Sequence, residues 1–253
     1  NPGADQAIAE EWIGGSRNFA TKLWNATRFA IMNGATIAGE LPKFESLDAI
    51  NKWILTRLDE TVADVDQYLE KFEFSKACEL IYHFAWDDLC DWYLELTKSS
   101  FAKGGADADA TKRVLGHVLD QLLRLMHPVM PFISEELWCN FTGNDSLVIA
   151  SWPKFDPSLR DEASIAAVAK VQDIVTEIRR FRNDQGIKTS ARVVARFSGM
   201  TESGLAGYED AIRFVNRCDQ PSDSANFTSR VEVAGITVEF DLSGAIDVKA
   251  ERA

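Results

Sequence analysis

Apolar side chains recur every three or four residues in five successive blocks of the chain before residue 143. This spacing places them on one face of a helix, so each block predicts an amphipathic helix. The predicted helices cover residues 17–33, 46–69, 75–99, 109–125 and 132–143. Ser46 and Asp109 are suited to cap two of them, while His127-Pro128 and Gly143 are typical helix ends. Residues 1–150 are therefore predicted to form a helical bundle.

The pattern changes after residue 150, where Pro153 and Pro157 predict an ordered crossing into a second domain. A long helix is predicted over residues 161–183, ending at Gly186. It is followed by a predicted strand at 193–197, a helix containing Tyr208, Ile212 and Val215, and two strands within 231–240. Residues 151–253 are therefore predicted to be a small α/β module, and the fold class is mainly α.

The charge of the chain restricts how it can bind other molecules. Lys and Arg number 27 against 39 Asp and Glu, which gives a net charge of −12. Such a chain has no global positive field, so any contact with RNA requires a local basic patch. Residues 40–70 hold three basic and eight acidic side chains, whereas residues 170–196 hold seven basic and three acidic ones. The first helix and the second of these segments are the positive candidates.

The sequence shows neither a membrane segment nor an export signal. It has no uncharged apolar run of about 18 residues, and residues 1–6 lack the basic and apolar regions of a signal peptide. The four cysteines are widely spaced without a Cys-x-x-Cys pair, which indicates reduced core thiols. We expect a cytoplasmic protein. The chain does not begin with Met and residues 247–253 look like the start of a helix, so we expect a piece of a longer polypeptide.

Few residues are candidates for catalysis or metal binding. His83, Asp87, Cys90 and Asp91 lie at helical spacing and could approach one metal ion. A solvated helix surface with a core thiol explains them better, because the sequence shows neither a His pair nor a second ligand-bearing segment. A Gly-x-Ser-x-Gly elbow and phosphate-binding glycine loops are absent. No catalytic residue and no metal site is therefore predicted.

The first helix is the main candidate for binding RNA. Arg17, Lys22 and Arg28 are spread over nearly three turns and offer positive charge to phosphates. Asn18 and Asn25 add neutral donors and acceptors that could reach base edges. These five residues are the predicted RNA contacts of the bundle.

A second candidate lies in the long helix, where Arg179 and Arg182 belong to an Arg-rich string. Each guanidinium offers a planar fork of donors to phosphate oxygens, although a solvated helix face explains the string equally well. Aromatic side chains could also stack on bases, but helical spacing favours core packing for them. These aromatic residues are Trp86, Trp92, Tyr93, Trp138 and Trp152.

Three strings, in the expected order, resemble the anticodon-binding domain of valyl-tRNA synthetases: RNFATKLWNATRF at residues 17–29, WDDLCDWYLEL at 86–96 and HPVMPFISEELW at 127–138. The third is shared loosely with the leucine, isoleucine and methionine enzymes of class I. The first two differ in the isoleucyl and leucyl enzymes, which favours the valyl family. Residues 178–183 and 246–252 also resemble the segment leading into that family's C-terminal coiled-coil arm, and we expect that arm to be truncated here.

The resemblance implies a class I anticodon-binding helical bundle followed by the small α/β module. The implied partners are the anticodon stem and loop of valine tRNA and the catalytic and editing domains of the same polypeptide. The family's His-Ile-Gly-His and Lys-Met-Ser-Lys-Ser motifs are absent from this chain. ATP and magnesium are thus implied for the whole valine–tRNA ligase and no cofactor for this part, which is expected to be inactive alone.

Two alternatives remain open at this point. The chain could be the anticodon-binding region of an isoleucyl or leucyl enzyme, which a swap of the tRNA anticodon would separate. It could also be a noncatalytic helical scaffold for protein interactions, which the net charge of −12 favours. No membrane partner is expected, and the chain is expected to be a monomer.

Overall fold

The computed structural model describes residues 10–243 and confirms the helical bundle. The helices of its first part are α1 (Glu10–Met32), α2 (Ala49–Glu70), α3 (Phe74–His83), α4 (Leu94–Lys103), α5 (Gly105–Met126) and α6 (Pro131–Thr142). A π-helical segment, Phe84–Tyr93, joins α3 to α4 without a break. Among the described residues, no helix has the length and apolarity that a membrane crossing requires. The helix start predicted at 247–253 lies outside the described residues.

The described residues form two compact units. The bundle unit holds the residues up to 47, 54–94 and 109–160, and the module unit holds 48–53, 95–108 and those from 161 onward. The predicted domain boundary at residue 150 stays a prediction, because compactness alone does not identify an independently folding domain.

The core of the bundle unit combines aliphatic and aromatic side chains, among them Leu23, Ile54 and Phe84. The side chains of α5 that lie in this core include Val114, Leu115, Val118, Leu119 and Leu122. The prediction of core packing for aromatic residues is confirmed for Tyr93 and Trp138, which are buried. It is wrong for Trp152, which is exposed and donates its indole N–H to Asp66 at 2.6 Å. Trp86 and Trp92 are half-buried.

Both predicted helix caps are wrong. Asp48, not Ser46, caps α2, because its Oδ1 accepts a hydrogen bond from the backbone N–H of Asn51 at 2.9 Å. Asp109 lies inside α5, where its carboxylate pairs with Lys112 at 2.9 Å. Short polar side chains bond to nearby backbone or side-chain groups in turns and helices as well as at caps, so residue type alone does not locate a helix start.

The π-helical segment Phe84–Tyr93 directs two carboxylates toward different helices. A π-helix closes its hydrogen bonds over five residues instead of four, and such segments are frequent at functional sites. The Asp88 carboxylate accepts from the Arg57 Nε of α2 at 3.1 Å, and Asp91 pairs with the Lys22 Nζ of α1 at 2.6 Å. Burial raises the pKa of Asp88, and the Arg57 charge opposes that shift. One segment thus connects to both α1 and α2.

The module unit contains a long helix, a short helix and a four-stranded sheet. The elements are α7 (Glu162–Asp184), β1 (Val193–Ser198), α8 (Glu209–Asn216), β2 (Cys218–Asp219), β3 (Ser229–Val233) and β4 (Ile236–Asp241). The strand order is β2-β1-β4-β3, with β1 parallel to β2 and the other pairs antiparallel. The predicted α/β class is confirmed, while β2 was not predicted because it spans two residues.

Two turns of the module unit follow from backbone conformation. Gly186 has φ +64° and its N–H bonds to the carbonyl of Asn183, which ends α7 as predicted. Ala234 and Gly235 both have positive φ in the two-residue turn between β3 and β4. A turn with positive φ at both central residues matches the twist of paired strands.

Arg213 of α8 is buried and holds the helix against the sheet. Its guanidinium donates to the carbonyls of Ala195 at 2.9 Å and Asp219 at 3.1 Å, and it pairs with Glu209 at 2.7 Å. The same group lies 4.5 Å from the centroid of the Phe197 ring. Arginine can satisfy several acceptors at once through its fixed fork of donors.

We expect Gly116→Ala to destabilise the bundle unit. A Cβ at Gly116 of α5 would lie 2.2 Å from the carbonyl oxygen of Thr36, a backbone atom that cannot turn away. Overpacking of this kind costs about 1–3 kcal/mol. Urea unfolding of the chain should show this decrease in the free energy of unfolding.

Gly14→Ala is the matched control, because a Cβ at Gly14 of α1 has no neighbouring atom within 4 Å. It should leave stability unchanged or raise it by up to about 1 kcal/mol through helix propensity. Equal effects of the two substitutions would contradict the close approach at Gly116.

Candidate nucleic-acid interface

One exposed face of α1 carries four of the five RNA contacts predicted in the bundle. Arg17, Asn18, Asn25 and Arg28 are exposed, and helical geometry places them within an arc of about 100°. The opposite face is buried and consists of Phe19, Leu23, Ala26 and Ala30. Since burial of one face fixes the direction of the other, the apolar stripe positions these polar side chains toward solvent.

Lys22, the fifth predicted contact, lies at the edge of this face and is half-buried. Its Nζ pairs with the Asp91 carboxylate at 2.6 Å and lies 3.6 Å from the centroid of the Trp86 ring. An ammonium over an indole face is attracted by the ring quadrupole. Asp91 and Trp86 therefore hold Lys22 beside the exposed face of α1.

An aromatic stack lies next to Lys22. The Tyr82 ring centroid is 4.9 Å from that of Phe19 and 5.6 Å from that of Trp86, and the Tyr82 and Trp86 planes differ by 20°. Tyr82 is exposed and Trp86 is half-buried, so part of the stack faces solvent. Exposed aromatic faces are suited to stacking on unpaired bases.

Two aromatic groups of this surface were not among the predicted contacts. Trp24 is 49% exposed and lies on the same face of α1 as Arg17 and Arg28. Trp24 directly follows the buried Leu23, so it does not belong to the apolar stripe with its spacing of three and four residues. This position outside the stripe is the sequence signal that could have identified it. Tyr82 gave no such signal, because its position beside Phe19 depends on the packing of α3 against α1.

Of the four candidate metal ligands, two contact each other and a third contacts a lysine. His83 Nδ1 is 2.7 Å from the Asp87 carboxylate, and Asp91 pairs with Lys22. Burial raises the pKa of the Cys90 thiol to about 12. In the described range, no group of three or more His, Cys, Asp or Glu side chains is arranged to hold a metal ion.

The cysteines are unpaired thiols. Cys218 is buried, whereas Cys78, Cys90 and Cys139 are half-buried. The prediction of core thiols is therefore correct for Cys218 alone.

The two predicted contacts of α7 have different environments. Arg179 is exposed, and its contact with RNA stays a prediction. Arg182 is buried and donates to the carbonyls of Asn216, Lys188 and Ala191 at 3.0, 3.1 and 2.7 Å. The structure thus gives Arg182 internal acceptors, while its predicted phosphate contact stays a prediction. The sequence could not show this, because its acceptors come from two other segments.

Comparison with known proteins shows similarity to tRNA ligases and their anticodon-binding domains. Residues 51–196 match the family described as the anticodon-binding domain of tRNA ligase. The chain is 49% identical to the valine–tRNA ligases of Streptomyces coelicolor and Streptomyces avermitilis and 47% identical to that of Nocardia farcinica. These alignments cover 99–100% of this chain and 28–29% of each relative. The chain therefore spans less than a third of the length of these curated relatives.

We expect Arg182→Met to lower the free energy of unfolding by about 2–4 kcal/mol, because three backbone carbonyls lose their donor. Arg179→Met, one turn away on the exposed face of α7, should cost less than about 1 kcal/mol. Urea unfolding of both variants tests this difference. Equal stability of the two variants would contradict the internal role of Arg182.

Proposed function

The chain belongs to the family of anticodon-binding domains of tRNA ligases, and on that premise we propose that it recognises the anticodon arm of valine tRNA. The observation that carries this proposal is the extent of identity with valine–tRNA ligases, which runs over the whole chain. The family match begins at residue 51, whereas α1 lies before it and inside the longer alignments. The segment that forms α1 thus lies within the region aligned with the valine enzymes.

The chemistry of that face suits a single-stranded RNA loop. Unpaired bases expose both their edges and their faces, so a protein reads them with hydrogen bonds and aromatic stacking. Arg17 and Arg28 supply charge for phosphates, and among the side chains that the structure describes, those of residues 14–243, no carboxylate pairs with either. Asn18 and Asn25 supply amides for base edges, while Trp24 and the Tyr82–Trp86 stack supply aromatic faces. Lys22 lies between the exposed polar side chains of α1 and the Tyr82–Trp86 stack.

In the whole protein, we propose that this chain supplies recognition while other domains of the polypeptide perform the chemistry. Those domains would use ATP and magnesium to activate valine and transfer it to the tRNA. A cytoplasmic location and a monomeric state belong to the same proposal. The catalytic and editing domains are then its partners within one polypeptide.

We expect the chain to bind valine tRNA at least tenfold more tightly than the same tRNA with a swapped anticodon. Losing hydrogen bonds to one base costs about 1–3 kcal/mol, and 1.4 kcal/mol corresponds to a factor of ten. Fluorescence anisotropy with labelled tRNA measures both affinities. Preference for an isoleucine or leucine anticodon would assign the chain to an isoleucyl or leucyl enzyme. Binding without any anticodon preference would contradict the proposed function.

We expect Arg17→Gln/Arg28→Gln to weaken tRNA binding and to flatten its salt dependence. The plot of log Kobs against log salt concentration has a negative slope, and each lost phosphate contact reduces the magnitude of that slope by about 0.7–0.9. Lys154→Gln/Arg160→Gln removes the same charge from exposed positions of the same unit and serves as the control. If both double variants behave alike, α1 is not the RNA surface.

A further inference from the structure

The module unit contains a cleft of about 340 Å³ whose lining is rich in cationic and neutral polar groups. It lies where α7 and α8 end and where the segment after Gly186 crosses between them. Pockets for small apolar ligands are lined mainly by hydrophobic and aromatic side chains, which is not the case here. The lining residues are Arg179, Arg182, Asn183, Ile187, Thr189, Val215, Asn216 and Arg217.

The charge of this cleft is opposite to that of the chain. Three of its lining residues are arginines, and of those described residues none carries a carboxylate, although the net charge of the chain is −12. The C-terminus of each helix carries about half a negative charge, so α7 and α8 together offset about one of the three positive charges. The lining of the cleft is thus positive overall, which favours an anion over a cation as its ligand.

Arg182 gives the cleft a fixed shape. From α7 it donates to the carbonyls of Lys188 and Ala191 on one side and of Asn216 on the other. Burial lowers the pKa of the Arg182 guanidinium, and the positive charge of Arg217 acts in the same direction. Two like charges are thus held close together, an arrangement that a bound anion would stabilise.

Arg217 is presented by an unusual backbone conformation. It has φ +53°, in the left-handed region, directly after the last residue of α8. Its N–H bonds to the carbonyl of Phe214 and its carbonyl accepts from Val193, so the main chain is fixed while the side chain is exposed. Strained positions of this kind cluster at ligand-binding and active sites.

We propose that this cleft binds phosphate groups of the tRNA backbone, as a second contact that does not read the anticodon. The inference rests on the proposed function for the identity of the RNA. Arg179 and Arg217 supply charge to the phosphate oxygens, and the Thr189 hydroxyl and Asn183 amide donate further hydrogen bonds. Arg182 positions the walls and does not touch the RNA.

The test compares tRNA binding by the chain with that of Arg179→Gln/Arg217→Gln. Arg192→Gln/Arg230→Gln is the control, because it removes the same charge from exposed arginines of the same unit that pair with Asp219 and Glu232. Thermal unfolding verifies that both double variants are folded. Affinity is measured over a range of salt concentrations, with native and swapped anticodons.

The cleft variant should bind both tRNAs about tenfold more weakly. The magnitude of its slope of log Kobs against log salt concentration should decrease by about 1.4–1.8, because two phosphate contacts are lost. The control should keep the affinity and slope of the parent chain. A cleft variant that binds like the control overturns the proposal, as does one that loses only anticodon preference.

A small-anion site is the other outcome that overturns the assignment to RNA. In that case inorganic pyrophosphate raises the melting temperature of the parent chain and not of the cleft variant, while tRNA affinity is unchanged. Failure of the proposed function has a separate signature, because the parent chain then shows no anticodon preference whatever the cleft variant does.

Discussion

Hydrogen bonds from buried arginines to main-chain carbonyls hold the module unit together. Arg213 connects α8 to the carbonyls of Ala195 and Asp219 in the sheet, and Arg182 connects α7 to the loop after it and to the end of α8. Loops and helix ends leave carbonyls without partners, and a guanidinium can satisfy several of them from one position. The same arrangement gives the candidate phosphate cleft its walls.

Much of the fold could be predicted from apolar spacing, because burial of one face is what a helix in a bundle requires. The helices of the bundle, α7 and the hairpin of β3 and β4 all follow from local pattern. The caps at Ser46 and Asp109 could not be predicted correctly, since several polar residues near a helix start compete for the same role. The pairing of β2 depends on contacts distant in the sequence.

The candidate site was predictable where exposure follows from helical phase. Arg17 and Arg28 lie opposite the buried stripe of α1, so their exposure could be inferred from the sequence. Burial of Arg182 depends on where the segment after Gly186 returns, which no local pattern reveals. The contact of Lys22 with Asp91 likewise joins residues far apart in the chain. The fold must therefore be known before positive side chains that can contact a ligand are distinguished from those that support the structure internally.

The π-helical segment Phe84–Tyr93 sets the rotational phase of Asp88 and Asp91 relative to α3. Deleting one residue between Asp88 and Asp91 would turn everything after the deletion by about 100°. Asp88 and Asp91 could then no longer both face their present cations on α2 and α1. The segment should consequently tolerate changes of side chain far better than changes of length.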